Sequence, residues 1–158
     1  SRTTVLSPDF VPVVPLQSSS ARFSPESLSS AHFVKLWLKE GDKVVSDNFY
    51  IRGTEEGNFQ AIKQMPKVAL EQTVAIQKGE NGEWTGSVTL KNPTATPALM
   101  IRVNVVGDKD GDQILPIFYS DNYIALIGGE QKQITFRLKD VDTRGNAPKV
   151  VVTGYNVE

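Results

Sequence analysis

The chain has 158 residues, of which 39% are apolar, 22% charged and 8% aromatic. This is the composition of a globular protein with a real core, and it speaks against collagen-like, disordered and membrane-spanning classes. Seventeen basic residues against eighteen acidic ones leave a net charge of −1, which provides no field for nucleic acid or an anionic membrane as partner.

In chain order, Ser1–Ser30 is rich in Ser and Pro (Pro8, Pro12, Pro15, Pro25). Phe10–Val14 is its one potential strand, at an edge because proline cannot donate in a central ladder. From Phe33 to Lys39 the residues Val34, Leu36 and Leu38 alternate with Phe33, Lys35 and Trp37, the period-two pattern of a strand. Gly41-Asp42 turns the chain and Val44–Ile51 returns. A short helical turn is expected at Asn58–Gln64, and Lys63–Pro66 is the expected domain boundary. Three strands make a poor sandwich alone, so residues 1–62 read as the C-terminal part of a preceding β-domain.

Period two continues from residue 63 to 158. Expected strands are Val68–Gln77, Trp84–Lys91, Leu99–Val105, Ile114–Phe118, Tyr123–Ile127, Gln133–Lys139 and Lys149–Val157. Between them stand turn-forming pairs: Asn81-Gly82, Asn92-Pro93, Asp110-Gly111 and Gly128-Gly129. Seven short strands with turn signals between them predict an all-β protein, an immunoglobulin-like β-sandwich preceded by the end of a second β-sandwich domain. Ser46-Asp47-Asn48-Phe49-Tyr50 and Ser120-Asp121-Asn122-Tyr123-Ile124 form a weak internal repeat.

Chemistry-bearing patterns are sparse. The absence of cysteine excludes disulfides, thiolate metal sites and thiol nucleophiles. His32 is the only histidine, and neither a GxSxG elbow nor an HExxH pair is present. Asp108, Asp110 and Asp112 alternate as in a calcium loop, yet Gln113 and Tyr119 stand where an EF-hand would place glycine and glutamate. A charged hairpin turn is the better reading, and these three remain weak metal candidates. The carboxylates are scattered among turns and select no acid/base pair. Trp84 shares a strand face with Val88, which places it in the core or at the sandwich end. Trp37 shares its face with Lys35 and Lys39. It is the better candidate for a glycan or domain contact, with Trp84 and Tyr119 behind it.

The segment Ile114–Tyr123, followed by Leu126-Ile127-Gly128-Gly129-Glu130, resembles the C-terminal immunoglobulin-like domain of β-mannosidase and exo-β-glucosaminidase type enzymes of glycoside hydrolase family 2. Their pattern runs close to LPVxWSDNYFxLLPGE, from which Tyr119 and Gly128 depart. The ending Gly154-Tyr155-Asn156-Val157 is similar to the family's GWNV. Val45–Tyr50 and Met65–Val68 are similar to the VSxNFYW and LPxV that join its last two sandwich domains.

The resemblance implies a non-catalytic accessory or structural module that packs on the catalytic barrel and other domains of the same polypeptide. An exposed-aromatic carbohydrate-binding module, with an oligosaccharide as partner, is the alternative. In that family the catalytic glutamates lie on a (β/α)₈ barrel, and such a barrel needs about 250 residues. No catalytic residue is therefore carried over, and no cofactor is implied. Ser120, Asp121, Asn122 and Tyr123 are expected to form a structural corner in which side-chain oxygens satisfy backbone N–H groups. The compartment stays open, a secreted or periplasmic bacterial setting being favoured over the cytoplasm.

Overall fold

The computed structural model describes residues 30–54 and 59–158. The expected strand at Phe10–Val14 lies outside these residues. The chain divides into two units between Gln64 and Met65.

In the first unit, β1 (Ala31–Glu40) and β2 (Lys43–Gly53) form an antiparallel hairpin, and α1 (Gln60–Lys63) is a single turn. Alternation puts Val34, Leu36, Leu38 and Tyr50 on one face and Phe33, Lys35, Trp37, Phe49 and Ile51 on the other. Phe33 and Phe49 stack with ring centres 5.6 Å apart. Leu36, Leu38 and Tyr50 are exposed, because a two-stranded ribbon cannot bury both its faces.

The second unit is a two-layer sandwich. Its strands are β3 (Glu71–Lys78), β4 (Glu83–Lys91), β5 (Ala98–Gly107), β6 (Phe118–Tyr119), β7 (Ile124–Leu126), β8 (Gln131–Lys139) and β9 (Pro148–Thr153), with a 3₁₀ turn at Asp140–Thr143. One sheet has the order β3-β4-β8-β6 and the other β7-β5-β9. The pairings Trp84↔Leu138, Gly86↔Phe136 and Val88↔Ile134 turn Val88, Leu90, Ile134, Phe136 and Leu138 inward. They meet Ile101, Val103, Val105, Ile124 and Leu126 from the facing sheet. Each such aliphatic side chain contributes about 1.5–3 kcal/mol when fully buried, so this layer is the main source of cohesion. Gly86 is where Phe136 sits: a Cβ there would overlap the Phe136 ring. Gly82, at φ +74°, completes the β3–β4 hairpin turn expected at Asn81-Gly82.

Four expectations need correction. First, Val68 and Leu70 lie outside β3, and Val74 is 41% exposed rather than buried. The three-stranded sheet is the narrower one and leaves the β3 edge uncovered. Val68 instead makes an isolated parallel bridge to Val157, with Val68 N–H donating to Asn156 O at 2.7 Å and Glu158 N–H to Val68 O at 3.1 Å. Second, the apolar run Ile114–Phe118 is not a strand. Only Phe118–Tyr119 pairs with β8, and Pro116, which has no N–H, sits in the link that carries the chain from the Val106↔Gln113 bridge across to β6. Third, β9 stops at Thr153, because Gly154 brings the backbone close to Leu99 O and Val157 and turns it. Fourth, the internal repeat has no structural counterpart. Ser46–Tyr50 lies within extended β2, whereas Ser120–Tyr123 is a corner.

Candidate functional site

The corner between β6 and β7 joins the two sheets. Tyr119 points inward from β6, its ring 6.2 Å from that of Phe136, and its hydroxyl oxygen accepts the Val105 N–H at 3.1 Å. Burial pushes its phenol pKa up, against smaller lowering effects of the Val105 hydrogen bond and the Arg102 charge. Ser120 pairs twice with Thr135 of β8. Its N–H donates to Thr135 O, and its Oγ accepts the Thr135 N–H, both at 2.9 Å. Asp121 accepts the Asn122 N–H at 2.8 Å through Oδ1, and its Oδ2 lies 2.5 Å from Lys132 Nζ.

Asn122 is the pivot. Its Oδ1 accepts the Val103 N–H and its Nδ2 donates to the Val103 carbonyl, each at 2.8 Å. The side-chain amide thereby occupies the place of a neighbouring strand beside β5, continuing the ladder past the Ile101↔Ile124 pair where β7 begins. Oδ1 also accepts the Tyr123 N–H at 3.0 Å, which holds Tyr123 at φ +56°. A left-handed conformation in a bulky residue costs about 1–3 kcal/mol. Tyr123 itself is exposed, with the Arg102 guanidinium 5.9 Å from its ring centre.

Two further asparagines do comparable work and were not singled out from the sequence. Asn156, 2% exposed, donates to Pro66 O and Pro97 O at 3.1 and 2.9 Å and accepts the Leu99 N–H at 2.9 Å. Asn92, fully buried, donates to Thr96 O and Leu126 O at 2.8 and 2.9 Å and accepts from the Thr94 N–H and hydroxyl. The available signal for Asn92 was its place before Pro93 at a strand end, and for Asn156 the terminal motif that contains it.

The remaining candidates are scattered. Trp84 is half-buried at the end of the sandwich, its indole N–H donating to Asp140 at 2.7 Å. Lys78 Nζ lies 2.7 Å from the same carboxylate and 5.5 Å from the indole centre. Lys78 first, and then Trp84, hold the Asp140 carboxyl below its ordinary pKa. Trp37, in the first unit, has Lys35 Nζ 5.6 Å from its ring centre. Asp110 accepts the Asp112 N–H of its own turn at 3.0 Å and the Asn146 amide of the loop before β9 at 2.5 Å. Among the described residues no three His, Cys, Asp or Glu side chains converge as a metal site, so Asp108, Asp110 and Asp112 are not gathered around a common point. His32 is half-buried on β1, and its Nδ1 has no partner among the described residues.

A profile of the exo-β-D-glucosaminidase Ig-fold domain matches residues 48–157. The exo-β-D-glucosaminidase of Streptomyces avermitilis is 32% identical over 113 residues, covering 70% of this chain and 12% of that protein. The Amycolatopsis orientalis enzyme of the same name is 29% identical over 113 residues, 70% of this chain and 11% of its own. Among solved structures, the exo-chitosanase CsxA of Amycolatopsis orientalis superposes with a TM-score of 0.77 at 25% identity, covering 84% of this chain and 18% of that one. The chain thus spans about one eighth of the length of the curated relatives it matches. With the profile spanning most of the sequence and a two-layer sandwich in place, the chain belongs to the Ig-fold domain family of the exo-β-D-glucosaminidases of glycoside hydrolase family 2.

Proposed function

We propose that the chain is a non-catalytic accessory module of an exo-β-D-glucosaminidase, with its catalytic barrel elsewhere on the same polypeptide. The observation that carries this reading is that relatives named for this one activity match the chain over only 11–13% of their own length. Of the two substrate classes the resemblance implies, glucosaminides are favoured over mannosides for the parent, since the profile and these relatives carry that name. The corner fits a structural part better than a reactive one. Ser120, Asp121 and Asn122 all spend polar atoms on the protein itself, which leaves Tyr123 as the corner's outward-facing side chain.

Residues 1–62 fit the C-terminal part of a preceding sandwich domain. The hairpin β1–β2 carries apolar side chains on both faces, as expected of strands with one layer beneath them and a neighbouring body above.

The complete polypeptide should hydrolyse p-nitrophenyl β-D-glucosaminide and the 158-residue chain should not. Hydrolysis by the chain alone refutes the reading. Glucosamine oligosaccharides should leave the fluorescence of Trp37 and Trp84 unchanged, whereas a saturable change identifies a carbohydrate-binding module instead.

A further inference from the structure

We propose that the outer face of the sheet β7-β5-β9 is a docking surface for a carboxylate-bearing region of the same polypeptide that lies outside this chain. The inference rests on the accessory-module reading and adds the surface and the chemistry of its partner.

The face is unlike its counterpart on the other sheet. There Thr85, Ser87, Thr89, Gln133 and Thr135 are polar, and although Phe118 is exposed with the Arg137 guanidinium 4.8 Å from its ring centre, Arg137 already has an anion, Glu83, at 3.8 Å. On β7-β5-β9, Met100 is 58% and Tyr123 63% exposed, and Val151 is exposed beside Asn104 and Thr153. Arg102 stands among them, paired across the sheet with Thr153 and lying against the Tyr123 ring. Among the described residues no carboxylate lies within ion-pair distance of Arg102. Met, Tyr and Arg are the residue types enriched where proteins meet, and the Arg102 guanidinium, 5.9 Å from the Tyr123 ring centre, is a cation free to meet a carboxylate there.

Backbone conformation supplies an independent argument. Met100 and Tyr123 have φ of +50° and +56°, two of the three non-glycine residues in that region among the described residues. Met100 occupies the register shift between Ala98 and Ile101, and Tyr123 immediately precedes the pair Ile101↔Ile124. Both strained positions therefore flank one short pairing, and each presents a large side chain to solvent. Glycine would adopt either conformation freely. Retaining bulky residues there places strain where it serves display rather than packing.

The relatives' lengths supply the occupant: roughly seven-eighths of such a polypeptide lies outside the matched region. Charge separates this occupant from a glycan. An amino-sugar polymer carries ammonium groups that Arg102 repels, whereas a protein carboxylate complements it.

The test is hydroxyl-radical footprinting of the complete polypeptide and of the 158-residue chain. Met100 and Tyr123 should oxidise at least about tenfold more slowly in the complete polypeptide, as at a packed interface core. Arg102→Glu should restore their oxidation. Tyr123→Gly relieves the left-handed strain, so it should raise Met100 oxidation in the complete polypeptide without lowering the melting midpoint of the chain. Equal oxidation in both proteins, or protection that neither variant disturbs, overturns the docking surface even where the polypeptide hydrolyses glucosaminides. Protection in a polypeptide without that activity overturns the functional reading and keeps the surface. Protection of the isolated chain that grows with its concentration, or that appears only with added glucosamine oligosaccharide, assigns the face to a second copy or to a glycan and overturns the proposal.

Discussion

Replacing Asn122 by alanine removes the two 2.8 Å hydrogen bonds to Val103 and leaves a donor and an acceptor on the central strand β5 without partners. Val103 is fully buried. An orphaned buried backbone group costs about 1–3 kcal/mol, and water reaches this half-exposed corner in part, so a loss of about 2–4 kcal/mol is expected. For a unit of this size that lowers Tm on the order of 10–30 °C. Urea unfolding of the 158-residue chain in a Trp37→Phe background, which leaves Trp84 as reporter of the second unit, measures it directly. Asn122→Asp sharpens the test. Ionised, the new carboxylate faces the Val103 carbonyl; protonated, it can again donate to it. The folded form therefore binds the proton more tightly than the unfolded chain, so the variant's stability should be greatest below about pH 4 and fall as pH rises through the folded-state pKa. A change below about 0.5 kcal/mol for Asn122→Ala, or a pH-independent Asn122→Asp, would refute the idea that this side chain stands in for a strand.

Other outcomes follow from the same geometry. Asn156→Ala breaks three hydrogen bonds that tie Pro66, Pro97 and Leu99 together and should destabilise the second unit by at least about 3 kcal/mol, seen by urea titration. Gly86→Ala should cost about 1–3 kcal/mol through overlap with the Phe136 ring, and Phe136→Leu should recover part of that in the double variant. The folded-state pKa of Asp140 is lowered, so its stabilising effect is present above the ordinary carboxyl pKa and lost as pH falls through the folded value. Asp140→Asn should flatten that acid limb in thermal melts between pH 5 and 2, as pure solvent conditions rather than ionic strength are varied. The raised Tyr119 pKa acts at the other end. Its contribution holds below about pH 10 and declines as pH climbs through the folded pKa, so Tyr119→Phe should make the alkaline limb less steep.

The strands were legible because their inward residues alternate: Ile134, Phe136 and Leu138, or Ile101, Val103 and Val105, admit one reading only. Legibility failed where chain and sheet part company. Ile114–Phe118 has a strand's composition, but Pro116 and the need to cross between sheets leave only its two ends bonded, Ile114 to Val105 of β5 and Phe118 to β8. Val74 alternates correctly and still meets solvent, because sheet width belongs to the assembled fold and not to any local window. The corner's residues were identifiable, but their partner was not: Val103 lies nineteen positions from Asn122, a pairing that no short-range pattern encodes. Asn92 and Asn156 were overlooked for the same reason, since a polar residue at a strand end reads as a turn until the carbonyls around it are placed.

The bridge between Val68 and Val157 also has a mechanical meaning. The two segments run parallel, one just after the second unit begins and the other just before the chain ends. Tension applied between the unit's two ends drags them past each other along their length. The hydrogen bonds Val68 N–H to Asn156 O and Glu158 N–H to Val68 O then carry the load together, in shear, instead of opening one after another as at a peeled edge. The Asn156 side chain, anchored to Pro66 on one side of that seam and to Pro97 and Leu99 on the other, works as a rivet across it. A domain fastened in this way yields abruptly and late to force.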